Sequence, residues 1–281
     1  MYEAKKQRKG YRFFTRRMNR RALDRITLEK ELRTAMQNDQ FVMFYQPITD
    51  QQEITRGMES LIRWMHPSKG ITPPGVFISV LEDMGEILSI GRWVLYRSCM
   101  EVKTWNQRYG TDLFVSVNVS ALQLQDDLFV HTVEDALHRS GLPPALLKLE
   151  ITESTIMKDP ESVMEKIKIL QARGVEFSID DFGTGYSSLS YLRKLPFNTL
   201  KIDRSFVEDA VACHETREII KTIIAMSKAL QKKILAEGIE TAEQKDLLKQ
   251  LGCNLLQGYF FNKPMPAAAF EREIIRWQTS N

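Results

Sequence analysis

Between residues 175 and 180 apolar and polar side chains alternate, with Val175, Phe177 and Ile179 on one parity and Glu176 and Ser178 on the other. A period of two marks a strand whose two faces differ. Other short apolar-rich runs stand at 41–48 (FVMFYQPI), 58–64, 113–119 (LFVSVNV), 146–152 (LLKLEIT), 199–203 (TLKID), 233–238 (KILAEG) and 255–261 (LLQGYFF), which makes eight predicted strands. Helical spacing takes over between them. Leu28, Leu32, Ala35 and Met36, with Leu23 and Ile26 ahead of them, predict a helix leading into the body. Further amphipathic stretches cover roughly 76–107 (read as two helices), 121–140, 158–173, 187–195, 205–231, 241–252 and 266–278. The turn-like ITDQQE between the first two strands is too short for a helical crossover, so those strands form an antiparallel hairpin. From there strand and helix alternate, as in a parallel sheet with helices outside it. The pattern predicts an α/β fold, a (β/α)8 TIM-type barrel with an antiparallel first strand.

Bulk properties add limits to that picture. A chain of 281 residues accommodates one such barrel of about 250 residues. No internal repeat divides it. No apolar run approaches the ~18 residues of a membrane helix, and the N-terminus lacks the apolar core of a signal peptide, so a cytoplasmic domain is expected. Cys99, Cys213 and Cys253 are too dispersed for a disulfide framework or metal knuckle and fit buried thiols; the four histidines form no ligating cluster. The formal net charge is +3, yet residues 1–25 hold ten of the 39 basic and two of the 36 acidic side chains, leaving 29 against 34 in the remainder. A nucleic-acid binder carries positive charge on its folded body, so no DNA or RNA binding is expected.

The candidate chemistry lies where polar residues interrupt the predicted strands near their C-terminal ends, the rim that carries the active site in such barrels. They are Glu59, Asn118, Glu150, Asp180 with Asp181, Lys201 with Asp203, Glu237 and Gln257. Asp180 and Asp181 are followed at once by Gly183 and Gly185. Adjacent strand residues point to opposite faces, so the two carboxylates share a site only where the strand turns into a loop. Each position alone has an ordinary explanation: Lys201 pairing with Asp203, Asn118 bonding the next loop, Glu237 capping a turn. Recurrence at matching strand ends favours a site. Asp, Glu and Asn without Cys or His suit hard cations such as Mg²⁺ or Mn²⁺. Paired ions activate water and neutralise phosphoryl charge, and Lys201 and Arg63 add fixed positive charge for phosphate oxygens. The set describes a metal-dependent phosphoesterase.

The same residues resemble a known family. Glu59-Ser60-Leu61-Ile62-Arg63 is similar to the EAL signature of cyclic di-GMP phosphodiesterases. YQPI (45–48), VNVSALQL (117–124), EITE (150–153), DDFGTGYSSL (180–189), KID (201–203), AEGIE (236–240) and QGYFFNKPMP (257–266) resemble further family motifs in the expected order. The resemblance spans residues 26–278. The leader MYEAKKQRKGYRFF resembles the end of a GGDEF (diguanylate cyclase) domain, so residues 1–25 are expected to be a domain remnant and linker, and 26–281 the barrel domain.

That resemblance implies hydrolysis of one phosphodiester of cyclic di-GMP to linear pGpG with two Mg²⁺ or Mn²⁺ ions. It assigns Glu59, Asn118, Glu150 and Asp180 to the first ion, and Asp180 with Asp181 to the second. Glu237 corresponds to a general base or neighbour of the second ion, and Lys201 to the residue holding the attacking water. Gln46, Arg63, Asp203 and Gln257 are assigned to substrate, with Gln46 the least securely placed on the rim. Glu153 and Glu240 match supporting acidic positions. The loop at 182–188, with Gly183 and Gly185, resembles one linking metal binding to dimer contacts. A homodimer and an upstream GGDEF or sensory domain are implied as well. Ser60 departs from the family's usual Ala, and its side chain is expected to point away from the face of Glu59. Two alternatives stay open: a receptor module that binds cyclic di-GMP without cleaving it, and a barrel esterase for another phosphodiester.

Overall fold

Phe41, Met43 and Tyr45 bury one face of β1 (Phe41–Asp50), and that alternation begins the barrel. The computed structural model describes residues 16–156, 159–183 and 194–279. β1 pairs antiparallel with β2 (Thr55–His66), from Phe41 opposite Trp64 to Thr49 opposite Thr55. β2 then runs parallel to β4 (Phe114–Asn118). The sheet continues in parallel through β5 (Leu147–Thr152), β6 (Glu176–Phe182), β7 (Thr199–Ile202), β8 (Lys233–Ala236) and β9 (Leu255–Leu256). Thr49 meets Leu256 antiparallel and closes the ring. The expected barrel with its reversed first strand is the fold observed. Two short strands that the pattern did not reveal extend it: β3 (Gly70–Thr72) on β2 and β10 (Met265–Pro266) on β1.

The helices stand as expected in order, with differences in length. α1 (Arg16–Gln37) runs unbroken through the expected boundary at residues 25 and 26. It buries Leu32 and Ala35, whereas Leu23 and Ile26 are exposed. α2 (Ile78–Met84) and α3 (Ile87–Tyr109) are the expected pair. The single helix expected at 121–140 is two, α4 (Ala121–Gln125) and α5 (Phe129–Ser140), because Asp126 leaves helical geometry and its side chain accepts from the Leu128 N–H. α6 (Glu153–Ile156) is one turn, and α7 (Pro160–Ala172) starts at an Asp159 cap. The stretch expected at 205–231 is also two helices, α8 (Arg204–Asp209) and α9 (His214–Ala229). α10 (Ala242–Leu251) and α11 (Ala267–Thr279) complete the ring. The helix expected at 187–195 falls largely outside the described residues. The strand expected at 255–261 ends at Leu256, because Gly258 then turns hard against Ile239; a Cβ there would lie 2.0 Å from the Ile239 carbonyl oxygen. Cys99 and Cys253 are buried as expected, but Cys213 is half-exposed ahead of α9. Among the described residues no helix is long and apolar enough to cross a membrane.

Two separate apolar clusters hold this shell together. The larger fills the space between strands and helices, where Trp105 packs edge-on to Tyr45 at 5.0 Å and stacks on Phe270 at 5.4 Å. The smaller holds Ile48, Phe114, Leu235 and Leu255. Each of these stands an even number of residues from a rim residue on the same strand or its extension, which aims them into the bore. They form a thin plug across it. Gly57 makes room for the plug: a Cβ there would sit 2.5 Å from the Phe114 ring. The rim chemistry rests on top of that plug.

Candidate active site at the C-terminal rim

Lys201 is the centre of the rim. β7 carries it inward with only 1% exposure, and its ammonium lies 2.5 Å from Glu150 Oε2, 2.5 Å from Glu237 Oε1 and 3.2 Å from Asp180 Oδ1. Asp203 is not its partner. That carboxylate instead caps α8, accepting from the Ser205 backbone N–H at 3.0 Å and from the Ser205 hydroxyl at 2.5 Å. Burial would lower the Lys201 pKa, but Asp180, Glu150 and Glu237 together hold it well above its ordinary value. These carboxylates therefore favour the charged form of Lys201.

A second group surrounds Glu59. Asn118 donates its side-chain N–H to Glu59 Oε1 at 2.7 Å, and Gln257 donates to Glu59 Oε2 at 2.7 Å and to Gln46 Oε1 at 3.2 Å. Gln46 stands directly opposite Glu59 in the β1–β2 ladder, and its own amide donates to the Asn262 carbonyl at 3.1 Å. The hairpin thus carries Gln46 onto the rim, and barrel closure delivers Gln257 beside it.

The tandem aspartates have a particular backbone. β6 does not end before them; its ladder with β7 slips between Ile179 and Phe182, and Asp181 takes φ 54°, in the left-handed region. This bulge breaks the parity of the strand, which is how two adjacent carboxylates can serve one rim. Asp180 accepts from the Asp181 backbone N–H at 3.0 Å. Burial, then the charge of Asp180, raises the Asp181 pKa. Gly183 has φ 95° and lies against the Phe206 ring; Gly185 lies outside the described residues.

The remaining expected residues divide. Arg63 is on the parity of Glu59 but four residues along, 5.6 Å from the Phe44 ring centroid, and burial lowers its pKa. Glu153 opens α6, buried, with Oε2 making no hydrogen bond to a described residue. Glu240 is exposed and lines a cleft of about 150 Å³ with Glu59, Glu237, Arg204 and Glu208. Ser60 points to the other face, as expected, donating to the Ser116 carbonyl at 3.0 Å. Pro74, Ile78 and Glu82 carried no signal in the chain. They wall a cavity of about 510 Å³, outside the barrel, which reaches the rim through Asn118. Their role is created by packing alone.

The donors suit a hard cation. Every candidate ligand atom is an oxygen, Asn118 offering its Oδ1, and the buried Glu150 Oε1 has no hydrogen-bond partner among the described residues. Burial, with repulsion from Glu59 and Asp180 outweighing Lys201, pushes the Glu150 carboxyl up to about 8; burial raises Glu237 well above its ordinary value too. Added positive charge would relieve both. As the side chains stand, no three His, Cys, Asp or Glu among the described residues close into a metal-holding group, because Lys201 and Asn118 occupy several of the carboxylate oxygens. A cation would enter by taking over those contacts.

Fold and rim define an eight-stranded α/β barrel with an acidic, lysine-bridged mouth. The EAL domain family matches residues 29–264, and the chain belongs to that family. It is 43% identical over 269 residues to the bifunctional diguanylate cyclase/cyclic di-GMP phosphodiesterase MucR of Pseudomonas aeruginosa, a match covering 95% of this chain and 39% of that protein. The cyclic di-GMP phosphodiesterase NbdA of the same organism is 40% identical over 270 residues, covering 96% of this chain and 34% of that protein. The chain thus spans a minor part of these relatives' length. The solved structure "PaMucR Phosphodiesterase, c-di-GMP complex" matches with a TM-score of 0.84 and 42% identity, covering 87% of this chain and 99% of that one.

Proposed function

We propose that this domain hydrolyses cyclic di-GMP to linear pGpG. The observation that carries the reading is the convergence of Glu59, Asn118, Glu150, Asp180, Asp181 and Glu237 around Lys201 on the rim of an EAL barrel. The similarity to MucR, whose solved structure is a c-di-GMP complex, supports the substrate.

Glu59, Asn118, Glu150 and Asp180 would hold one Mg²⁺ or Mn²⁺, and Asp180 with Asp181 a second. When bound, the ions supply Lewis-acid polarisation of the phosphoryl group and lower the pKa of water. The protein's own groups do the rest. Lys201 contributes a fixed positive charge beside the attacked phosphate. Glu237, its proton affinity raised by burial, is suited to take the proton of the attacking water. The water oxygen adds to phosphorus as its proton passes to Glu237, the bond to the 3′ oxygen breaks in line, and that oxygen takes a proton from solvent while Glu237 returns its own to solvent. Arg63, Gln46, Asp203 and Gln257 would bind substrate, and the 510 Å³ cavity beside Asn118 offers room for a base. We also infer a homodimer and an upstream GGDEF domain, the latter supported by the two activities in the name of MucR.

The test is incubation of the purified chain with cyclic di-GMP in Mg²⁺ or Mn²⁺, with chromatographic separation of products and Glu59→Ala as control. pGpG from the wild type alone is the expected result. Calorimetric binding without product would replace this reading with that of a receptor module.

A further inference from the structure

The opposite mouth of the barrel holds a second built chamber. Below the apolar plug, Arg56, Asp112, Lys148, Lys233 and Asn254 line a cavity of about 380 Å³ that opens at the N-terminal ends of the strands. Phe114 and Leu255, the underside of the plug, form its roof. A single water has about 30 Å³ of liquid volume, so the chamber takes a multi-atom guest.

Most of its polar groups are hydrogen-bond donors. Lys148 is only 5% exposed. Its ammonium lies 3.7 Å from the Phe114 ring centroid and 3.1 Å from Glu176 Oε2, yet that oxygen makes no hydrogen bond to a described residue. Glu176 pairs with the ammonium, which carries three N–H donors and no acceptor and so has donors to spare. Lys233 has no carboxylate within ion-pair distance among the described residues. Asn254 uses its side-chain oxygen to accept from the Ile234 N–H at 2.9 Å, which leaves its amide donors for the chamber. Arg56 commits its Nε to Asp50 at 2.6 Å and retains its terminal N–H groups. A buried charge is stable only when paired and hydrogen-bonded; Glu176 supplies the pair, and the remaining Lys148 donors can take a further acceptor.

We propose that this chamber is a second ligand site, remote from the rim, that binds a phosphate group through Lys148, Lys233, Asn254 and Arg56. A tetrahedral oxyanion offers acceptors to donors arriving from several strands, and charge-assisted hydrogen bonds of this kind are the strong ones.

The experiment is calorimetric titration of inorganic phosphate into the full chain in chloride buffer with chelator, repeated with Glu59→Ala, Lys233→Ala and Lys148→Met. GMP, titrated into Glu59→Ala, distinguishes a phosphorylated metabolite from free phosphate by whichever binds more tightly. Saturable binding is expected, unchanged by Glu59→Ala, weakened about tenfold by Lys233→Ala through loss of one charge-assisted hydrogen bond, and lost in Lys148→Met. If Lys148→Met does not fold, the exposed Lys233→Ala decides alone. No saturable phosphate binding, binding abolished by Glu59→Ala, or binding that Lys233→Ala leaves unchanged would each overturn the site.

Discussion

Lys201 and Glu150 meet at 2.5 Å inside the barrel, both effectively sealed from solvent, with Asp180 and Glu237 sharing the same ammonium. Removing one partner of such a cluster strands the others. Lys201→Met is expected to cost about 3–5 kcal/mol in urea unfolding and to eliminate turnover. Wild-type stability would show that the carboxylates do not depend on this cation.

Gln257 aims Glu59 by donating to its Oε2, and meets Gln46 with the same amide. Outer partners of this kind typically matter by about 10–100-fold. Gln257→Ala should lower kcat/KM for cyclic di-GMP in that range while leaving the urea midpoint close to wild type. An unchanged kcat/KM would mean that Asn118 alone suffices to orient Glu59.

Gly57 faces Phe114 across the β2–β4 ladder. A methyl group there overlaps both the ring and the carbonyl, so Gly57→Ala should destabilise the barrel by about 1–3 kcal/mol, read from chemical unfolding. Phe114→Leu in the same chain should recover part of the loss.

Gly91 in α3 leaves room for the Gln123 amide, which a Cβ would approach to 2.0 Å. Gln123 closes the capping box with Ser120 at the start of α4, two residues after Asn118. Gly91→Ala is expected to displace that amide, cost about 1 kcal/mol for the weakened cap and lower turnover. Adding Gln123→Ala removes the clash but not the loss of the cap, so it should recover only part of the stability.

Glu31 binds α1 to the β2–β3 hairpin, accepting from Lys69 at 3.1 Å and lying 3.3 Å from His66 Nε2. Burial alone would raise its pKa; the hydrogen bonds from Lys69 and His66 outweigh it and hold the carboxyl below its ordinary 4.5. The ionised form is thus favoured in the fold, and its stabilisation is present above pH 4.5 and lost as pH falls through the lowered value. Because the pair is partly solvated the effect is about 1 kcal/mol or less. Glu31→Gln should flatten the stability curve in that acid window, lowering stability by about 1 kcal/mol or less near neutrality and leaving it unaltered below the window.

The alternation of Val175, Phe177 and Ile179, with its counterparts in the other strands and the helical spacing between them, determined the element order, and the short ITDQQE connection determined the reversed hairpin. Alternation records which face of each strand is covered, a local property written directly into the chain. The polar breaks at Glu59, Asn118, Glu150, Lys201 and Glu237 were legible for the same reason, since a charge in an apolar strand has no local justification. Tertiary structure decided their partners. Lys201 could pair with Asp203 two residues away, yet it pairs with Glu150, because the side chains of one strand and its neighbours point into a common bore while Asp203 belongs to a helix cap. The bulge at Asp181, the delivery of Gln257 to Gln46 across 211 positions, and the cavity walled by Pro74 and Ile78 were equally invisible beforehand. Register across strands and closure of a ring depend on the packing of the whole shell, and no local periodicity encodes them.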